Sequence, residues 1–219
     1  MSNQFTLNES QLLEKIIEDR RSVRQFRTDL PDREVITSIL NAGLWAPYAG
    51  LAVNGSEDFR KFYVITSERR LILEKINDII KEFSKGMLIE FEKTIEENPF
   101  VKEHGANFHK RLLGMAQGGV AGLTEAPCLI IVSEKKGIPS AEKQSLAHVM
   151  ENMWLKATSL NLGFRLLSAF ESLSDNKEFC DVLGVEYGKY AFNACIIGFA
   201  LNDVSIGKRP KIEDVVKWL

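Results

Sequence analysis

The stretch "HVMENMWLKATSLNLGFRLLSAF", residues 148–170, combines the two kinds of secondary structure on which the fold depends. Val149, Met150, Met153 and Trp154 recur at helical spacing, which predicts a long helix from about residue 141 to residue 160 with one buried face. After Gly163, the run "FRLLSAF", residues 164–170, predicts a strand. A long helix that leads directly into a strand favours a domain that mixes helices with a sheet.

The rest of the chain extends this α+β pattern. Short apolar runs predict three more strands, and an Asn8–Gln11 capping pair marks the start of a first helix. Gly86 is a candidate break in a long helical pattern after residue 67, and residues 98–110 are expected to form a loop or lid. With no repeat or linker, residues 1–219 are expected to form one domain with about four strands. The predicted strands are 61–66, 128–133, 164–170 and 190–201, and the predicted helices are about 9–19, 31–46, 67–97, 108–123, 141–160 and 175–183.

Composition excludes several classes of protein. The 219 residues are 45% hydrophobic and carry a net charge of −2, which is typical of a globular protein and not of a general nucleic-acid binder. No apolar run is long enough to cross a membrane, and no secretory signal is recognised at the start, so we expect a cytoplasmic protein. The three cysteines form no CxxC pair, and the three histidines have no further ligands at metal spacing. We therefore expect no metal.

The segment "EDRRSVRQF", residues 18–26, places three arginines and a serine at the end of the first predicted helix. In one interpretation, Arg20, Arg21 and Arg24 neutralise the helix dipole and pair with nearby carboxylates. In the other, guanidinium groups and the Ser22 hydroxyl bind a phosphate or another oxygen-rich ligand. The alternation after Ser22, with Val23 directed inward, favours the second interpretation, but the segment alone leaves both open.

Several marks in the same order give the chain a resemblance to the nitroreductase family of FMN-dependent flavoproteins. "RRSVRQF" is similar to the opening signature of the family, and "ILNAGLWAPYAG" is similar to its helix that ends in Ala-Pro-Ser-Ala. "EAPCLIIVS" resembles a family strand, and the opening stretch resembles the long helix that ends at Leu-Gly. "LGVEYGKYAFNACIIGFAL" and "GKRPKIEDVVKW" resemble the last strand and the closing segment. The resemblance covers nearly the whole chain and implies a nitroreductase-like α+β fold with a mainly antiparallel sheet.

The resemblance also implies a cofactor site. It places Arg20, Arg21 and Ser22 at the FMN phosphate and ribityl chain, and Arg24 near the ribityl chain and the N1/O2 edge of the flavin. A cation near N1 stabilises reduced flavin, so the protein orients and tunes the cofactor while the cofactor performs the redox chemistry. No catalytic side chain is expected. The other implied contacts are the phosphate-binding Lys208 and Arg209, the partner-facing Pro47, Tyr48 and Ala49, and the flavin-covering Ser168, Ala169, Phe170 and Glu171.

The implied activity is that of a homodimeric oxidoreductase. NADH or NADPH would pass a hydride to flavin N5, and a nitroaromatic, quinone or similar planar acceptor would then take two electrons by a ping-pong mechanism. Reductive dehalogenation and flavin breakdown on the same scaffold stay open, as does a non-catalytic FMN-binding or carrier role. An acceptor panel and anaerobic reduction of the bound flavin would discriminate between these functions.

The sequence departs from the family pattern beside the expected flavin. Tyr48 replaces the serine of Ala-Pro-Ser-Ala, and the following segment lacks Gln-Pro-Trp, although Asn54 could stand in for the family's asparagine or simply form a turn. The stretch "SAFES" also lacks a glycine. Residues 67–125 are longer than in small members, which suggests a lid or a dimer arm. These differences concern substrate choice more than FMN binding.

Overall fold

In a computed structural model, the structure describes residues 5–48, 58–205 and 207–219. They form four strands and eight α-helices, and two 3₁₀ segments precede α3 and α7. The helices are α1 (Leu7–Asp19), α2 (Arg33–Leu44), α3 (Arg70–Glu97), α4 (Pro99–His104), α5 (Ala106–Gly118), α6 (Glu142–Ser159), α7 (Lys177–Leu183) and α8 (Ile212–Val215). The strands are β1 (Arg60–Thr66), β2 (Cys128–Lys135), β3 (Gly163–Leu166) and β4 (Tyr190–Gly198).

The four strands form one antiparallel sheet in the order β1-β2-β4-β3. The central strands β2 and β4 are almost entirely buried, since helices cover both faces of the sheet. This explains why their sequences are continuous apolar runs and do not alternate with polar residues. The α+β class and the mainly antiparallel sheet of about four strands are confirmed.

Alternate residues of β2 enter two separate hydrophobic cores. Leu129 and Ile131 pack on one face with α3, α7 and the 3₁₀ segment Ser168–Asp175. Cys128 and Ile130 pack on the other face with α2 and α6. The sheet is therefore the middle layer of three, and β3 at its edge leaves room for another chain segment beside it.

Some predicted boundaries are wrong. The strand expected over residues 164–170 ends at Leu166, because Phe170 turns into the core and its N–H bonds to the Leu167 carbonyl in a 3₁₀ segment. The loop or lid expected over residues 98–110 is helical, and Asn98 caps α4 through its side chain. Helix α3 continues through Gly86 without a break.

The first helix also begins earlier than predicted. The Thr6 hydroxyl accepts a bond from the Glu9 N–H, and the Glu9 carboxylate accepts one from the Thr6 N–H, which is a complete capping box. The expected Asn8–Gln11 pair instead lies within α1. No helix among the described residues is both long and apolar enough to span a bilayer.

Candidate functional site

The arginine segment lies against the edge strand β3. Ser22 forms a parallel bridge with Phe164, and the Val23 N–H donates to the Phe164 carbonyl at 3.0 Å. Val23 is buried directly over Gly163, where a Cβ atom would lie 2.8 Å from a Val23 methyl group. Gly163 is therefore required for this close approach. The segment acts as a short fifth strand and holds Ser22 and Arg24 at the exposed edge of the sheet.

The turn between α6 and β3 fixes the position of the strand that the arginine segment contacts. Helix α6 ends with the Leu162 N–H bonded to the Ala157 carbonyl, and Asn161 has a φ of 57°, a conformation that asparagine tolerates better than most residues. On the last turns of α6, the Trp154 ring stacks on Phe164 and its indole N–H donates to the Arg21 carbonyl at 3.1 Å. The helix, the strand and the arginine segment are thus joined into one unit.

Arg20 and Arg21 have partners within the chain. The Arg20 guanidinium lies 4.1 Å from the centroid of the Trp154 ring and 3.3 Å from the exposed Glu151 carboxylate. The Arg21 guanidinium donates to the carbonyl oxygens of Glu18 and Arg20 at the end of α1. For Arg21, this geometry is the helix-capping arrangement that the sequence left open.

Arg24 belongs to a different group of charges. Arg165 on β3 donates through one guanidinium nitrogen to the Ala121 carbonyl at 2.6 Å. Burial lowers the pKa of Arg165, and the positive charges of Arg24 and of Arg111 on α5 lower it further. Over the described part of the chain, none of these three arginines forms an ion pair. We call Arg24, Arg111 and Arg165 the cationic cluster.

The segment Ser168–Glu171 follows β3 directly, three residues after Arg165. Ser168 is exposed and Ala169 is half-buried, whereas Phe170 is fully buried in the core. The Glu171 carboxylate accepts a bond from the Asn193 side chain of β4 at 3.1 Å. Phe170 and Glu171 fix the segment against the core and β4, and Ser168 stays exposed three residues beyond Arg165.

Pro47 and Tyr48 lie at the opposite end of the sheet within the same chain. The Tyr48 hydroxyl donates to the Lys135 carbonyl at 2.8 Å, and Lys135 pairs with Tyr190 at the start of β4. The arginine segment joins the sheet at Phe164, which pairs with Ile197 near the end of β4. Seven residues of strand separate these positions, which is about 24 Å. Ala49 and Asn54, which the sequence also proposed, lie outside the described residues.

A buried polar network holds the end of α2 and the residues that follow it, as far as Pro47. Arg60 bonds to Glu134 at 2.5 Å through its Nε and donates to the carbonyls of Gly43 and Ala46, each at 3.0 Å. Ser145 on α6 donates to the Pro47 carbonyl at 3.0 Å and accepts a bond from Arg60. Burial raises the pKa of Glu134 despite the opposing charge of Arg60. The network therefore gives hydrogen-bond donors to carbonyl groups at the end of α2 that have no partner within the helix.

Lys208 and Arg209 lie in an exposed C-terminal segment. The Arg209 guanidinium donates to the Lys208 carbonyl, and residues 207–219 are exposed throughout. No contact with the arginine segment joins these two residues to the candidate site within the part of the chain described here. Their expected role at a phosphate stays a prediction.

Other reactive groups do not form a second site. Cys128, Cys180 and Cys195 are buried free thiols, and burial raises the pKa of Cys128 to about 12. Across residues 5–48, 58–205 and 207–219, no group of three potential ligands could hold a metal ion. Sequence reasoning missed Arg111, Arg165 and the Trp154 contact with Arg20. One signal for Arg165 was available, namely a lone charge within the apolar run "FRLL".

Comparison with known proteins agrees with this fold. No curated protein sequence matches the chain. An FMN-bound nitroreductase from Bacteroides fragilis is 20% identical, with a TM-score of 0.66 over 94% of this chain and 98% of that one. A BluB-like flavoprotein from Clostridium difficile 630 is 21% identical, with a TM-score of 0.68 over 94% and 98%.

A third solved structure, from Parabacteroides distasonis, carries the provisional name NADH dehydrogenase/NAD(P)H nitroreductase. It is 16% identical, with a TM-score of 0.61 over 94% of this chain and 97% of that one. Identities this low establish a shared fold only. The model of the nitroreductase family matches residues 17–200, which include the arginine segment and all four strands. This chain therefore belongs to the nitroreductase family.

Proposed function

We propose that the protein is an FMN-dependent oxidoreductase that passes two electrons from NADH or NADPH to a planar acceptor such as a nitroaromatic or a quinone. The observation that carries this proposal is the arginine segment fixed along β3, with Arg24 and Arg165 free of acidic partners among the described residues and Ser168 exposed three residues beyond Arg165. An anionic, planar cofactor needs this combination of guanidinium donors and an accessible backbone edge.

The residues present fit FMN. Arg24 has no acidic partner among the described residues, and Ser22 is exposed beside it. Arg20 is already engaged, but its ion pair with Glu151 is largely exposed on the carboxylate side and is therefore weak enough to be exchanged for a phosphate. We expect Arg20, Arg21, Ser22, Lys208 and Arg209 to hold the phosphate and ribityl chain, with Arg24 nearer the ring.

When bound, FMN would accept a hydride at N5 and return two electrons to the acceptor at the same face, in a ping-pong sequence. The protein's own part is to orient the ring and to stabilise negative charge near N1, which is the role we assign to Arg24. Ser168 is exposed and Ala169 is half-buried, and we expect a substrate to approach the flavin beside them. The nicotinamide donor is supported by the name of the Parabacteroides distasonis neighbour, and we identify no catalytic side chain.

We also propose that the active form is a homodimer. Helix α1 buries none of its residues, and its apolar residues Leu12, Leu13 and Ile17 are each at least half exposed. The Trp45 and Trp218 side chains are 87% and 90% exposed, so neither belongs to the core of one chain. An apolar groove of about 480 Å³ also opens between α3 and α5, lined by Phe83, Met87, Phe91 and Phe108. Patches of this kind mark interfaces.

A dimer would also account for the distance between the two predicted halves of the site. Pro47 and Tyr48 are about 24 Å from the arginine segment of their own chain, along β4. They could complete a site only in a second subunit, as the family resemblance implies for Pro47, Tyr48 and Ala49. With three unpaired cysteines, we expect this dimer to work in the reducing cytoplasm.

Reduction under anaerobic conditions tests the activity. The purified protein should be yellow, hold one FMN per chain and lose its flavin absorbance when NADH or NADPH is added. Protein that does not take up FMN would contradict the whole proposal. FMN that binds but resists reduction by either nucleotide would instead identify a carrier. After reduction, a panel of nitroaromatic, quinone and halogenated acceptors, with oxygen as one member, separates the proposed activity from dehalogenation and flavin breakdown.

Two substitutions test the phosphate contacts. Arg20→Ala and Arg209→Ala should each weaken FMN binding by about tenfold or more, because each removes a charge-assisted hydrogen bond. Stability should change little in Arg209→Ala, whose hydrogen bond lies at the surface, and somewhat more in Arg20→Ala, which also loses the contact with the Trp154 ring. Riboflavin, which lacks the phosphate, serves as the matched ligand and should bind both variants as it binds the original protein. Unchanged FMN affinity would return Arg20 to a purely structural role.

A further inference from the structure

Arg165 is a charged residue on the edge strand β3, in the middle of the short apolar run Phe164–Leu167. The residue is itself partly buried, so its guanidinium has lost some of its water. A cation is retained in such a position at a cost in stability unless a partner of opposite charge compensates it.

Within the described residues, the groups around Arg165 add positive charge and do not compensate its own. The two charged groups that act on it are Arg24 and Arg111, both positive. These three arginines come from the arginine segment, β3 and α5, which are far apart in sequence and meet only in the folded chain. Like charges from three elements repel one another, and an anionic or electron-rich ligand at this place would relieve that repulsion.

The orientation of Arg165 is fixed. One terminal nitrogen donates to the Ala121 carbonyl at 2.6 Å, in a turn where the next residue, Gly122, has a φ of 75°. A guanidinium has five N–H donors in a planar fork, and this contact uses one of them. The remaining donors are therefore held in place beside Arg24 and have no other hydrogen-bond partner in the described chain.

We propose that Arg165 is a second cation for the N1 and C2-carbonyl edge of the bound flavin, together with Arg24. This assignment rests on the proposed FMN function and adds a residue to it. Arg165 precedes the flavin-covering segment Ser168–Glu171 by three residues, whereas the expected phosphate ligands are Arg20, Arg21, Lys208 and Arg209. Arg111 is exposed on α5, and its positive charge acts on Arg165 as well.

The chemistry of the flavin suits such a pair of cations. Reduction places negative charge on N1 and the C2 oxygen, so a fixed guanidinium there binds reduced flavin more tightly than oxidised flavin. Binding that favours one redox state shifts the midpoint potential of the bound cofactor. Arg165 should therefore affect both the retention of the isoalloxazine ring and its potential.

The experiment compares Arg165→Gln and Arg165→Lys with the original protein and with Arg33→Gln, a control at an exposed arginine of α2. Flavin fluorescence gives the Kd of the apoprotein for FMN and for riboflavin, and spectroelectrochemical titration gives the midpoint potential. We expect Arg165→Gln to raise both Kd values by a similar factor of about ten to one hundred. Its midpoint potential should be more negative, and Arg165→Lys should recover part of that shift.

Several results would overturn the assignment. A loss of FMN affinity with unchanged riboflavin affinity would place Arg165 at the phosphate, and unchanged affinity for both would leave it with only the Ala121 contact. If Arg165→Gln does not fold, Arg111→Gln is used in its place, because it keeps the hydrogen bond from Arg165 to the Ala121 carbonyl. Arg111→Gln should still make the midpoint potential more negative. An unchanged potential would refute the role of the cationic cluster at the flavin. FMN binding by the original protein separates these failures from a failure of the proposed function itself.

Discussion

Arg60 and Arg165 are both strand arginines, the first buried and the second partly buried, and their surroundings differ completely. Arg60 has an acidic partner in Glu134 and donates to three backbone carbonyls and the Ser145 hydroxyl. Arg165 donates to one carbonyl, and the charges that act on it are positive. The first site is complete within the chain, so its role is structural, whereas the second has unused donors and is suited to bind a ligand.

The Arg60 site nevertheless has one incomplete feature. One carboxylate oxygen of Glu134 is buried without a hydrogen-bond partner among the described residues, and burial raises the pKa of this side chain. Arg60 acts against that rise. Arg60 therefore favours the charged form of Glu134, and the comparison between the two arginines can be tested by removing each of them.

The largest expected effect follows Arg60→Met. Removing one member of a buried ion pair leaves the other uncompensated, so the free energy of unfolding should fall by about 3–5 kcal/mol. Urea denaturation measures this loss. The matched control is Arg60→Met combined with Glu134→Leu, which removes both charges and should recover much of the stability. An equal loss in the double variant would show that Arg60 acts only through the carbonyls of α2.

The same variant should show a distinctive pH dependence. A carboxyl whose pKa is raised in the folded state contributes most at low pH, where it is protonated in both states, and that contribution is lost as the pH rises through the folded pKa. Removing Arg60 takes away the main opposing charge, so the pKa of Glu134 should rise further. Arg60→Met should therefore regain stability when the pH is lowered from 8 towards 5, and a defect independent of pH would contradict this cause.

A somewhat smaller effect should come from the ligand. FMN at one hundred times its Kd should raise the free energy of unfolding by about 2.7 kcal/mol, because it binds only the folded chain. At the same FMN concentration, the gain in the free energy of unfolding should be smaller for Arg24→Gln, whose side chain belongs to the cationic cluster. It should be unchanged for the surface control Arg33→Gln. Thermal unfolding with and without FMN measures both. Equal gains in all three proteins would place the FMN site away from the cluster.

Gly163→Ala tests whether the contact between Val23 and Gly163 holds the arginine segment in the position that binds FMN. The added methyl group would lie 2.8 Å from a Val23 methyl group, and overpacking of this kind costs about 1–3 kcal/mol. The arginine segment should move away from β3, so FMN affinity should fall as well. Adding Val23→Gly removes the Val23 Cβ, which would lie 2.9 Å from the added methyl group, together with both Val23 methyl groups, and should restore part of both quantities. Stability that recovers without affinity would separate packing from the position of the arginines.

The smallest expected effect concerns Glu151→Gln. The Glu151–Arg20 pair is partly exposed, so its loss should change stability by less than about 0.5 kcal/mol. Arg20 would then be free to turn towards a phosphate, and FMN affinity should rise slightly while riboflavin affinity stays constant. Isothermal titration calorimetry resolves both constants. A fall in FMN affinity would indicate that Glu151 instead holds Arg20 in the position that binds.

The sequence predicted most of the helices and strands correctly. Continuous apolar runs identified β2 and β4 because both strands are buried on both faces, and helical spacing identified α6 because one of its faces packs on the sheet. The predictions for β3 and for residues 98–110 were wrong. Phe170 is as apolar as a strand residue but enters the core from a 3₁₀ turn, and Asn98 starts a helix in a stretch that resembles a loop.

For the candidate site, the sequence identified the arginine segment through its order with the other family marks, and the family itself is confirmed. The individual contacts with FMN stay predictions. Residue spacing could not show that Arg21 caps α1 or that Arg20 stacks on Trp154, because these contacts depend on how α1 and α6 pack. It also gave no reason to connect Arg111 with Arg165.

The sequence by itself determined the family, the α+β arrangement and the presence of an arginine segment after the first helix, because these follow from local periodicity and ordered motifs. Only the tertiary structure decided which arginines are already paired and which are not. Charge compensation depends on distances between elements that are remote in sequence, as with Arg60 and Glu134, which are 74 residues apart. Such distances arise only when the sheet and its helices assemble.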